Sequence, residues 1–402
     1  MRSCDVVVVG GGIHGVGVAQ AAAAAGHSVL LLEKTDLACG TSSRSSKLIH
    51  GGLRYLESAQ WGLVRESLRE RRILLEIAPE LVRLVSFHLP VYRSTRRRPW
   101  QLRLGLAMYA ALGGFDRTTR FGSVPRSEWD RLDGLETQGL SAVLRYFDGQ
   151  TDDALLTRSV MASAEGLGAE LALPATFVDA ELVADGAIVR YVHSGRPQEV
   201  RARVLVNAAG PWANTVATRI DPTPVLPAVE LVQGTHLIVP GQLARGVYYV
   251  ESPRDGRAVF VMPWHGEILI GTTETRFRGN PDQVAPLAAE RHYLLSILRR
   301  YFPKYRQSGA AMHHAAFAGV RVLPVGKGHA FHRSRETLLI TDRSDRPRSL
   351  SIYGGKLTGW RATAAHVLEL IDGSLAKRPT RADTARLRID PCPAPDSSAV
   401  RP

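Results

Sequence analysis

Residues 5–33 carry the feature that most limits the fold: a strand, a glycine-rich turn, a helix and a second strand follow one another directly. The continuous apolar run DVVVVG is typical of a strand buried in a parallel sheet. Gly10, Gly12 and Gly15 form GxGxxG, and Glu33 follows 18 residues after the last of them. In a βαβ unit these glycines allow a tight turn, approach of a pyrophosphate and close helix packing, and the acid suits a ribose hydroxyl. The unit predicts an adenine-dinucleotide site; a glycine-rich turn in another doubly wound fold is the alternative.

The rest of the chain predicts a second sheet and then a return to the first. The segments GTHLIVP, AVFVMPW and EILIGTTE favour an antiparallel or mixed sheet. Strand, glycine turn and helix patterns return after residue 321. We therefore predict an α/β fold in which a discontinuous Rossmann-like nucleotide-binding domain carries an inserted α+β substrate domain. The expected boundaries are 1–65, 146–222 and 312–375 for the nucleotide-binding domain, 66–145 and 223–311 for the substrate or cap domain, and 376–402 for a flexible Pro-, Ala- and Arg-rich tail.

The charge of the chain indicates an anionic partner. Its 51 Lys and Arg against 38 Asp and Glu give a net charge of +13. This charge suits a phosphorylated small molecule, an anionic membrane surface or nucleic acid; a merely solvated basic surface is the alternative.

The three cysteines, Cys4, Cys39 and Cys392, have no metal-ligand spacing, so we expect no metal site and a reduced, cytoplasmic setting. No signal peptide is expected, because strand-like sequence begins at Asp5, and the apolar run at 104–115 is too short to span a bilayer.

The segment RSTRRRPWQLR, at residues 93–103, contains five arginines and no acid. Basic residues beside a tryptophan and an amphipathic stretch are typical of a lipid headgroup interface. A solvated loop followed by a buried helix explains the pattern equally well. The first interpretation predicts peripheral contact with the inner face of the cell membrane. Nucleic acid is disfavoured as a partner, because basic residues interleaved with aromatics are confined to this segment.

Seven segments, in this order and spacing, resemble those of the FAD-dependent glycerol-3-phosphate dehydrogenases and oxidases, within the D-amino-acid-oxidase-like flavoproteins. They are GGGIHGVGVA, LLLEKTDLACGTSSRSSKLIHGGLRYLE, VLVNAAGPWA, QGTHLIVP, GTTE, GVRVLP and YGGKLTGWR. Together they span residues 5 to about 372, and the second segment is specific to the family. The resemblance implies an FAD-dependent oxidoreductase.

The resemblance also implies which residues contact FAD. In the family, the segment after the ribose-binding acid runs along the flavin toward its reactive face, where small residues give close approach. The matching residues are Gly10, Gly12, Ile13, His14, Gly15, Glu33, Lys34, Leu37, Thr41, Ser42, Ser45, Ser46, Lys47, Leu48, Ile49, Thr176, Ala208, Gly210, Trp212, Gly354, Gly355, Lys356, Leu357 and Thr358. Lys356, or the helix N-terminus after it, would stabilise negative charge on reduced flavin.

Substrate chemistry in such a family depends on fixed positive charge and a base. Oxidation of a secondary alcohol requires removal of the hydroxyl proton and hydride transfer to flavin N5, and a nearby phosphate requires cations. By resemblance, the contacts to the phosphate and the flavin edge are Arg54, Tyr55, Arg335 and Lys356. Arg321 matches a cation beside the carbinol oxygen, where it would stabilise developing alkoxide. His236 and His50 match site histidines, and we favour His236 as the general base.

The resulting hypothesis is oxidation of sn-glycerol 3-phosphate to dihydroxyacetone phosphate, with electrons passed to a quinone or another acceptor. The alternative is an FAD-dependent oxidoreductase of a 2-hydroxy acid, an amino acid or a glycerol-phosphate analogue. Two departures from the family pattern keep the substrate open. The chain stops soon after its last flavin segment, where family dehydrogenases continue into a helical C-terminal domain. The usual GTTD is GTTE, ending in Glu274, whose longer side chain changes the reach of the carboxylate.

Overall fold

The computed structural model describes residues 2–57, 59–306, 315–325 and 337–393, which form two β-sheets and their helices. The strands are β1 (Arg2–Val9), β2 (Val29–Leu32), β3 (Leu48–Ile49), β4 (Val82–Tyr92), β5 (Gly122–Ser123), β6 (Leu140–Thr151), β7 (Glu170–Ala172), β8 (Ala175–Val183), β9 (Gly186–His193), β10 (Arg196–Asn207), β11 (Ile220–Asp221), β12 (Val229–Val239), β13 (Val247–Glu251), β14 (Ala258–Trp264), β15 (Glu267–Gly271), β16 (Thr275–Phe277), β17 (Ala315–Pro324), β18 (Leu338–Thr341) and β19 (Ser349–Tyr353). The helices are α1 (Ile13–Ala24), α2 (Trp61–Ile77), α3 (Pro99–Leu112), α4 (Asp153–Gly166), α5 (Ala213–Ala217), α6 (Ala288–Tyr301) and α7 (Trp360–Ile371).

The first sheet has the strand order β11–β8–β9–β10–β1–β2–β7. Its centre is parallel, because β1 pairs with β2 and β10, β2 pairs with β7, and β10 pairs with β19. The long strand β10 joins two ladders: its first half pairs antiparallel with β9, and its second half pairs parallel with β19. A parallel centre with the crossover helix α1 is the Rossmann-like arrangement that the glycine turn predicts. The predicted α/β fold class is confirmed.

Helix α1 is buried on nearly all sides, which explains its composition. Ten of its twelve residues are buried, and most of these are Ala, Gly or Val. The helix packs against the first sheet, α4 and α7. Gly17 marks the closest approach to α7, since a Cβ there would lie 2.7 Å from Cε3 of the fully buried Trp360. The alanine-rich run therefore reflects close packing, as expected of a helix that has no polar face.

The second sheet is mixed and mostly antiparallel, with the order β16–β12–β15–β14–β13–β4–β6–β3. Strand β17 pairs along the whole of β12, so that β17, β12, β15, β14 and β13 are consecutive neighbours. One face of these strands packs against α6 through an apolar cluster that includes Val259, Ile270, Leu294 and Leu298. The opposite face is therefore available to form a site.

The chain passes between the sheets several times. The strands of the first sheet come from residues 2–32, 170–221 and 338–353, and those of the second sheet from the stretches between them. Two strands of the second sheet, β3 and β17, lie within stretches that the sequence assigns to the nucleotide-binding domain. The domain boundaries themselves stay predictions. No helix in the described part of the chain is long and apolar enough to cross a membrane.

Residues 376–393 pack against the nucleotide-binding part and do not form a flexible tail. Ile389 is 1% exposed, belongs to the same apolar core as α1, and donates its amide to the carbonyl of Ile77 at 2.8 Å. The amide of Arg381 donates to the carbonyl of Ala24 at 2.7 Å. The prediction of a flexible tail is wrong here, because a buried isoleucine and backbone hydrogen bonds anchor a sequence whose composition is typical of disorder. Residues 394–402 lie outside the described part.

Candidate active site

A cavity of about 600 Å³ extends from the glycine turn before α1 to the free face of the second sheet. Most of the residues predicted to bind cofactor or substrate line it. They are Gly10, Gly12, Ile13, His14, Glu33, Lys34, Thr41, Ser42, Ser45, Ser46, Leu48, His50, Arg54, Tyr55, Thr176, Ala208, Gly210, Trp212, His236, Arg321, Gly354, Gly355, Lys356, Leu357 and Thr358. Gly15, Leu37, Lys47 and Ile49 do not line the cavity, and Arg335 lies outside the described residues. The role of each residue stays a prediction.

The three glycines of the turn have different surroundings. Gly10 has a φ of 110°, and a Cβ there would lie 2.7 Å from the carbonyl oxygen of Ala208 at the end of β10. A Cβ on Gly15 would lie 1.9 Å from the carbonyl oxygen of Gly10. Gly12 borders the cavity, and the atom nearest to a Cβ there is Oγ of Ser42 at 3.2 Å. Packing therefore requires glycine at positions 10 and 15, whereas Gly12 leaves space for a ligand at the N-terminus of α1.

Glu33 stabilises the same turn. Its Oε2 accepts a hydrogen bond from the amide of Gly11 at 2.7 Å, and its Oε1 accepts one from the amide of Thr35 at 2.8 Å. The side chain is buried, yet it borders the cavity. The carboxylate thus fixes the turn and still has an edge to which a ribose hydroxyl could donate.

Residues 40–57, which we call the crossing segment, connect the two sheets. Near its start, Oγ of Ser42 accepts a hydrogen bond from the amide of Ile13 at 2.9 Å. The hydroxyl of Thr41 donates to the carbonyl of Val320 on β17 at 2.6 Å. The crossing segment is therefore tied both to the N-terminus of α1 and to the second sheet, and it forms a continuous wall between them.

Lys47 has a different place from the one the resemblance implies. Its side chain is buried behind the cavity wall, where Nζ donates to Oδ1 of Asp153 and to the carbonyl of Ser43, both at 2.5 Å. Asp153 also accepts hydrogen bonds from the amide and hydroxyl of Ser45. Burial raises the pKa of Asp153, and the Lys47 ammonium opposes this rise. The pair anchors the crossing segment to the first residue of α4.

Five residues at one register of the second sheet form a row across neighbouring strands, which we call the aromatic row: Phe317, His236, Gly271, Phe260 and Tyr249. The rings of His236 and Phe317 stack with centroids 5.0 Å apart, and Phe260 meets Tyr249 edge to face at 5.2 Å. Gly271 leaves the space that the imidazole needs, since a Cβ there would lie 2.0 Å from Cδ2 of His236. The row therefore presents an imidazole and two aromatic rings to the cavity.

The environment of His236 keeps its imidazole uncharged. The ring is 2% exposed, and its Nε2 lies 2.9 Å from Oγ of Ser46 on the crossing segment. Burial, together with the positive charges of Lys47 and Arg321, lowers the pKa of His236 well below its ordinary value. A neutral imidazole has a lone pair that can accept a proton at neutral pH.

Positive side chains border the cavity from both sheets. Nζ of Lys356 lies 4.0 Å from the centre of the Tyr55 ring, and the guanidinium carbon of Arg54 lies 5.7 Å from it. Tyr55 itself fits closely against Gly52, where φ is 77° and a Cβ would lie 2.2 Å from the ring. Arg321 faces the cavity from β17. Such cations suit a phosphate and a developing alkoxide.

Sequence reasoning missed several residues that line the cavity. They include Arg44, Phe87, Tyr146, Tyr249, Arg257, Phe260, Thr272 and Asp282. Alternation in AVFVMPW predicts a strand with two faces, but it does not tell which face borders a ligand. Arg257 lies directly before that strand, and no sequence motif marks it as a site residue. Its position depends on Glu274, since Nη2 of Arg257 lies 3.2 Å from Oε2 of Glu274.

The lining of the cavity fits an elongated dinucleotide. The turn at Gly12 and the N-terminus of α1 suit a pyrophosphate, Glu33 suits a ribose, and the aromatic row lies at the other end for a flat ring system. Within the described residues, no group of His, Cys, Asp and Glu could hold a metal ion.

Known proteins are similar to this chain in sequence and fold. D-erythritol 1-phosphate dehydrogenase of Brucella abortus is 38% identical over 371 residues, which are 90% of this chain and 72% of that protein. Aerobic glycerol-3-phosphate dehydrogenase of Escherichia coli is 37% identical over 386 residues, which are 92% and 73% of the two chains. The structure of glycerol-3-phosphate dehydrogenase from Bacillus halodurans, complexed with FAD, has a TM-score of 0.73 at 26% identity and covers 96% of this chain and 68% of that one.

The family described as FAD dependent oxidoreductase (DAO) matches residues 5–361. This match and the identities above confirm the resemblance to the glycerol-3-phosphate dehydrogenases. FAD is the cofactor of this chain. The chain belongs to the DAO family of FAD-dependent oxidoreductases and is an enzyme of that type.

Proposed function

We propose that this chain oxidises sn-glycerol 3-phosphate at its secondary alcohol to dihydroxyacetone phosphate. The observation that carries the proposal is the presence, in one cavity, of a neutral buried imidazole and cations from both sheets. FAD, when bound, supplies the hydride acceptor. The remaining requirements are binding of the phosphate, removal of the hydroxyl proton and stabilisation of the oxygen, and each has a residue of this chain to meet it.

Arg54 and Lys356 bind the phosphate in this proposal. Both line the cavity beside Tyr55, on the side formed by the crossing segment and by the turn before α7. A guanidinium can bond two phosphate oxygens at once, and an ammonium adds a further charge-assisted hydrogen bond. A substrate without a phosphate would not form these charge-assisted hydrogen bonds, so the arrangement favours phosphorylated alcohols over free ones.

His236 removes the hydroxyl proton in this proposal, and Arg321 stabilises the oxygen that loses it. The imidazole is neutral because of burial and neighbouring positive charge, so it can accept a proton from the substrate. Arg321 is close enough to contribute to the lowering of the His236 pKa, and it faces the same cavity. A fixed cation at this place favours negative charge on the oxygen. His50 lines the cavity beside the aromatic row, with its ring centroid 6.4 Å from that of Phe260, and is assigned to substrate orientation.

D-erythritol 1-phosphate, or a similar glycerol-phosphate analogue, is the second candidate substrate. The observation that favours it is the relative named D-erythritol 1-phosphate dehydrogenase, at 38% identity. Both candidates present a phosphate and a secondary alcohol to the same residues. They differ in the part of the polyol that extends beyond the reacting carbon.

Anaerobic bleaching of the flavin tests the proposed reaction. Purified holoprotein is mixed with glycerol 3-phosphate, erythritol 1-phosphate, glycerol, erythritol, a 2-hydroxy acid and an amino acid, and loss of the oxidised flavin absorbance is followed. Rapid bleaching by one or both phosphorylated polyols is the expected result. Bleaching by the 2-hydroxy acid or the amino acid in their place would refute the assignment.

We further infer that electrons pass to a quinone or another carrier at an anionic membrane surface. Helix α3 begins in the basic segment and exposes Trp100 and Leu104, whose exposed fractions are 65% and 55%. Arg93, Arg96 and Arg98 are exposed before it, whereas Arg97 is held in ion pairs with acidic neighbours. Exposed cations beside an amphipathic helix suit anionic headgroups.

Vesicle sedimentation tests the membrane contact. The holoprotein should sediment with vesicles of anionic lipid at low salt, and high salt or neutral lipid should release it. The Trp100→Ala variant should bind more weakly, because it loses exposed apolar area at the headgroup level. Equal binding to neutral and anionic vesicles, or none to either, would return the segment to an ordinary solvated surface.

A further inference from the structure

Glu274 lies behind the cavity wall with a different arginine at each carboxylate oxygen. Its Oε2 is 3.2 Å from Nη2 of Arg257, and its Oε1 is 3.5 Å from Nη1 of Arg321. The Glu274 side chain is 3% exposed, whereas those of Arg257 and Arg321 are 17% and 21% exposed. Both arginines border the cavity, and the glutamate does not. The carboxylate therefore supports the two cations from behind.

Arg321 is also held on its other sides. Its Nη2 donates to the carbonyl of Thr273 at 3.0 Å. The same nitrogen passes over Gly234 on β12, where a Cβ would lie 2.7 Å from it. A carbonyl, a carboxylate and a bare stretch of backbone therefore restrict the orientation of this guanidinium, which also borders the cavity.

The backbone on both sides of Glu274 is anchored to the opposite face of the sheet. The hydroxyls of Thr273 and Thr275 donate to Oε1 of Glu290 on α6, at 2.8 and 2.7 Å. Glu290 is 5% exposed, and these hydrogen bonds help to lower its pKa, in opposition to burial. Glu274 lies between these two anchored residues, and its carboxylate contacts Arg257 and Arg321 at the cavity wall. Its position is therefore fixed from both sides of the chain.

We propose that Glu274 is a positioning residue, which holds Arg257 and Arg321 as a pair in the cavity wall. The proposal rests on the proposed function, in which Arg321 acts at the carbinol oxygen. Two guanidinium groups that share one carboxylate carry a net charge of +1, so each can lie near the other and still face the substrate. Without the carboxylate the two groups repel each other, and Arg321 moves from its place beside His236.

The first test replaces Glu274 by an isosteric neutral residue. Turnover of glycerol 3-phosphate by Glu274→Gln should fall about 10- to 100-fold, mainly in kcat, because Arg321 is misplaced in the transition state. Binding of inorganic phosphate, followed through its perturbation of the flavin absorbance, should be unchanged or tighter, because the cavity gains one positive charge. A residue that only maintains the fold would weaken turnover and phosphate binding together.

Two further variants complete the test. Glu274→Asp keeps the charge and should recover at least part of the lost kcat. The double variant Arg257→Gln/Glu274→Gln should turn over faster than Glu274→Gln alone, because removal of Arg257 ends the repulsion of Arg321. Wild-type kcat in Glu274→Gln, a parallel loss of phosphate affinity, or a double variant that is no faster would each overturn the proposal. If wild type oxidises no polyol phosphate, the proposed function fails, and the phosphate titration still decides whether Glu274 controls the cavity cations.

Discussion

The two ends of the cavity are built in different ways. The cofactor end, around Gly12 and Glu33, consists of backbone from a single βαβ unit, with side chains that serve mainly to hold the turn. The end proposed to bind substrate, which we call the substrate end, consists of side chains: an imidazole, aromatic rings and at least four arginine or lysine residues, contributed by strands of the second sheet, the crossing segment and the turn before α7. A substitution at the cofactor end should act by sterically excluding the cofactor. A substitution at the substrate end should act by changing charge or proton transfer.

The two ends should also differ in how selective they are for their ligands. Backbone N–H groups at a helix N-terminus can bind any ligand with a suitably placed diphosphate, which explains why such turns recur in many enzymes. Cations held by buried carboxylates recognise a particular arrangement of charge, as at Glu274. We therefore expect specificity for the substrate to be determined at the second sheet, and retention of the cofactor at the first.

The largest effect is expected at Gly12. A valine there places its side chain in the space beside Ser42 that the pyrophosphate requires, so Gly12→Val should lose FAD completely while the protein still folds. The flavin-to-protein absorbance ratio after purification measures retention, and circular dichroism checks the fold.

Gly62 on α2 is the matched control for this substitution. A Cβ at Gly62 meets no atom within 4 Å, and the residue lies outside the cavity. Gly62→Val should therefore retain FAD. Retention of FAD by Gly12→Val would contradict the difference between the two ends, because FAD binding would then not require the space beside the backbone of Gly12.

The second largest effect is expected at His236. His236→Gln should reduce the rate of flavin reduction by about 10²- to 10⁴-fold, because general-base catalysis is lost while FAD remains bound. Anaerobic stopped-flow measurement of flavin reduction gives this rate directly. His88 is the control, since it is also buried, with its pKa lowered to about 4 by burial, but lies outside the cavity. His88→Gln should change the melting temperature and leave the rate of reduction near that of wild type.

The pH dependence of the same rate sharpens this point. The pKa of His236 is lowered, so the imidazole stays in its basic form as the pH falls past 6.5, the usual value for histidine. The rate of reduction should therefore not decline between pH 8 and pH 6.5 through protonation of this residue. An acid limb centred near pH 7 that is absent in His236→Gln would show that the imidazole is more solvated than its 2% exposure implies.

A smaller effect is expected at Arg54. Arg54→Ala removes the proposed charge-assisted contact to phosphate, and such a contact contributes roughly 1.5–3 kcal/mol. The value of kcat/KM for glycerol 3-phosphate should fall about 10- to 100-fold, with FAD still bound. Glycerol should be used almost equally poorly by wild type and variant, because it has no phosphate to hold. An equal loss for both alcohols would show that Arg54 acts on the flavin or on the fold.

The smallest effect is expected at an exposed ion pair that lines the cofactor end of the cavity. Lys34 lies 2.7 Å from Asp282 and 4.6 Å from the centre of the Trp212 ring, with about half of each charged side chain exposed. Exposed ion pairs contribute about 0–1 kcal/mol, so Asp282→Asn should speed FAD dissociation no more than about fivefold. Raising the salt concentration should remove even this difference. A much larger change would mean that this end depends on charge after all.

The ease of prediction follows the same division. The glycine turn and Glu33 are readable because every residue needed lies within one local unit. His236 and Arg321 could be identified only through the resemblance, because neither the sequence of β12 nor that of β17 predicts that these two strands pair. Arg257 was missed for that reason, and the burial of Lys47 was not foreseen because its partner Asp153 lies 106 residues away. The ordered stretch 376–393 was misjudged because composition does not reveal that Ile389 completes a core.

The strand order of the first sheet bears on how the enzyme is synthesised. Strand β1 lies between β2 and β10, and a Cβ on Gly355 would lie only 2.2 Å from Nε2 of His14, so the start of α1 packs against residues that are made much later. A ribosome that adds about 5–20 residues per second reaches residue 355 about 20–70 s after starting the chain. Until residue 207 is made, after about 10–40 s at these rates, the fully apolar half of β1, residues 6–9, has no β10 beside it. The nascent chain must therefore keep this strand from pairing elsewhere until β10 is available.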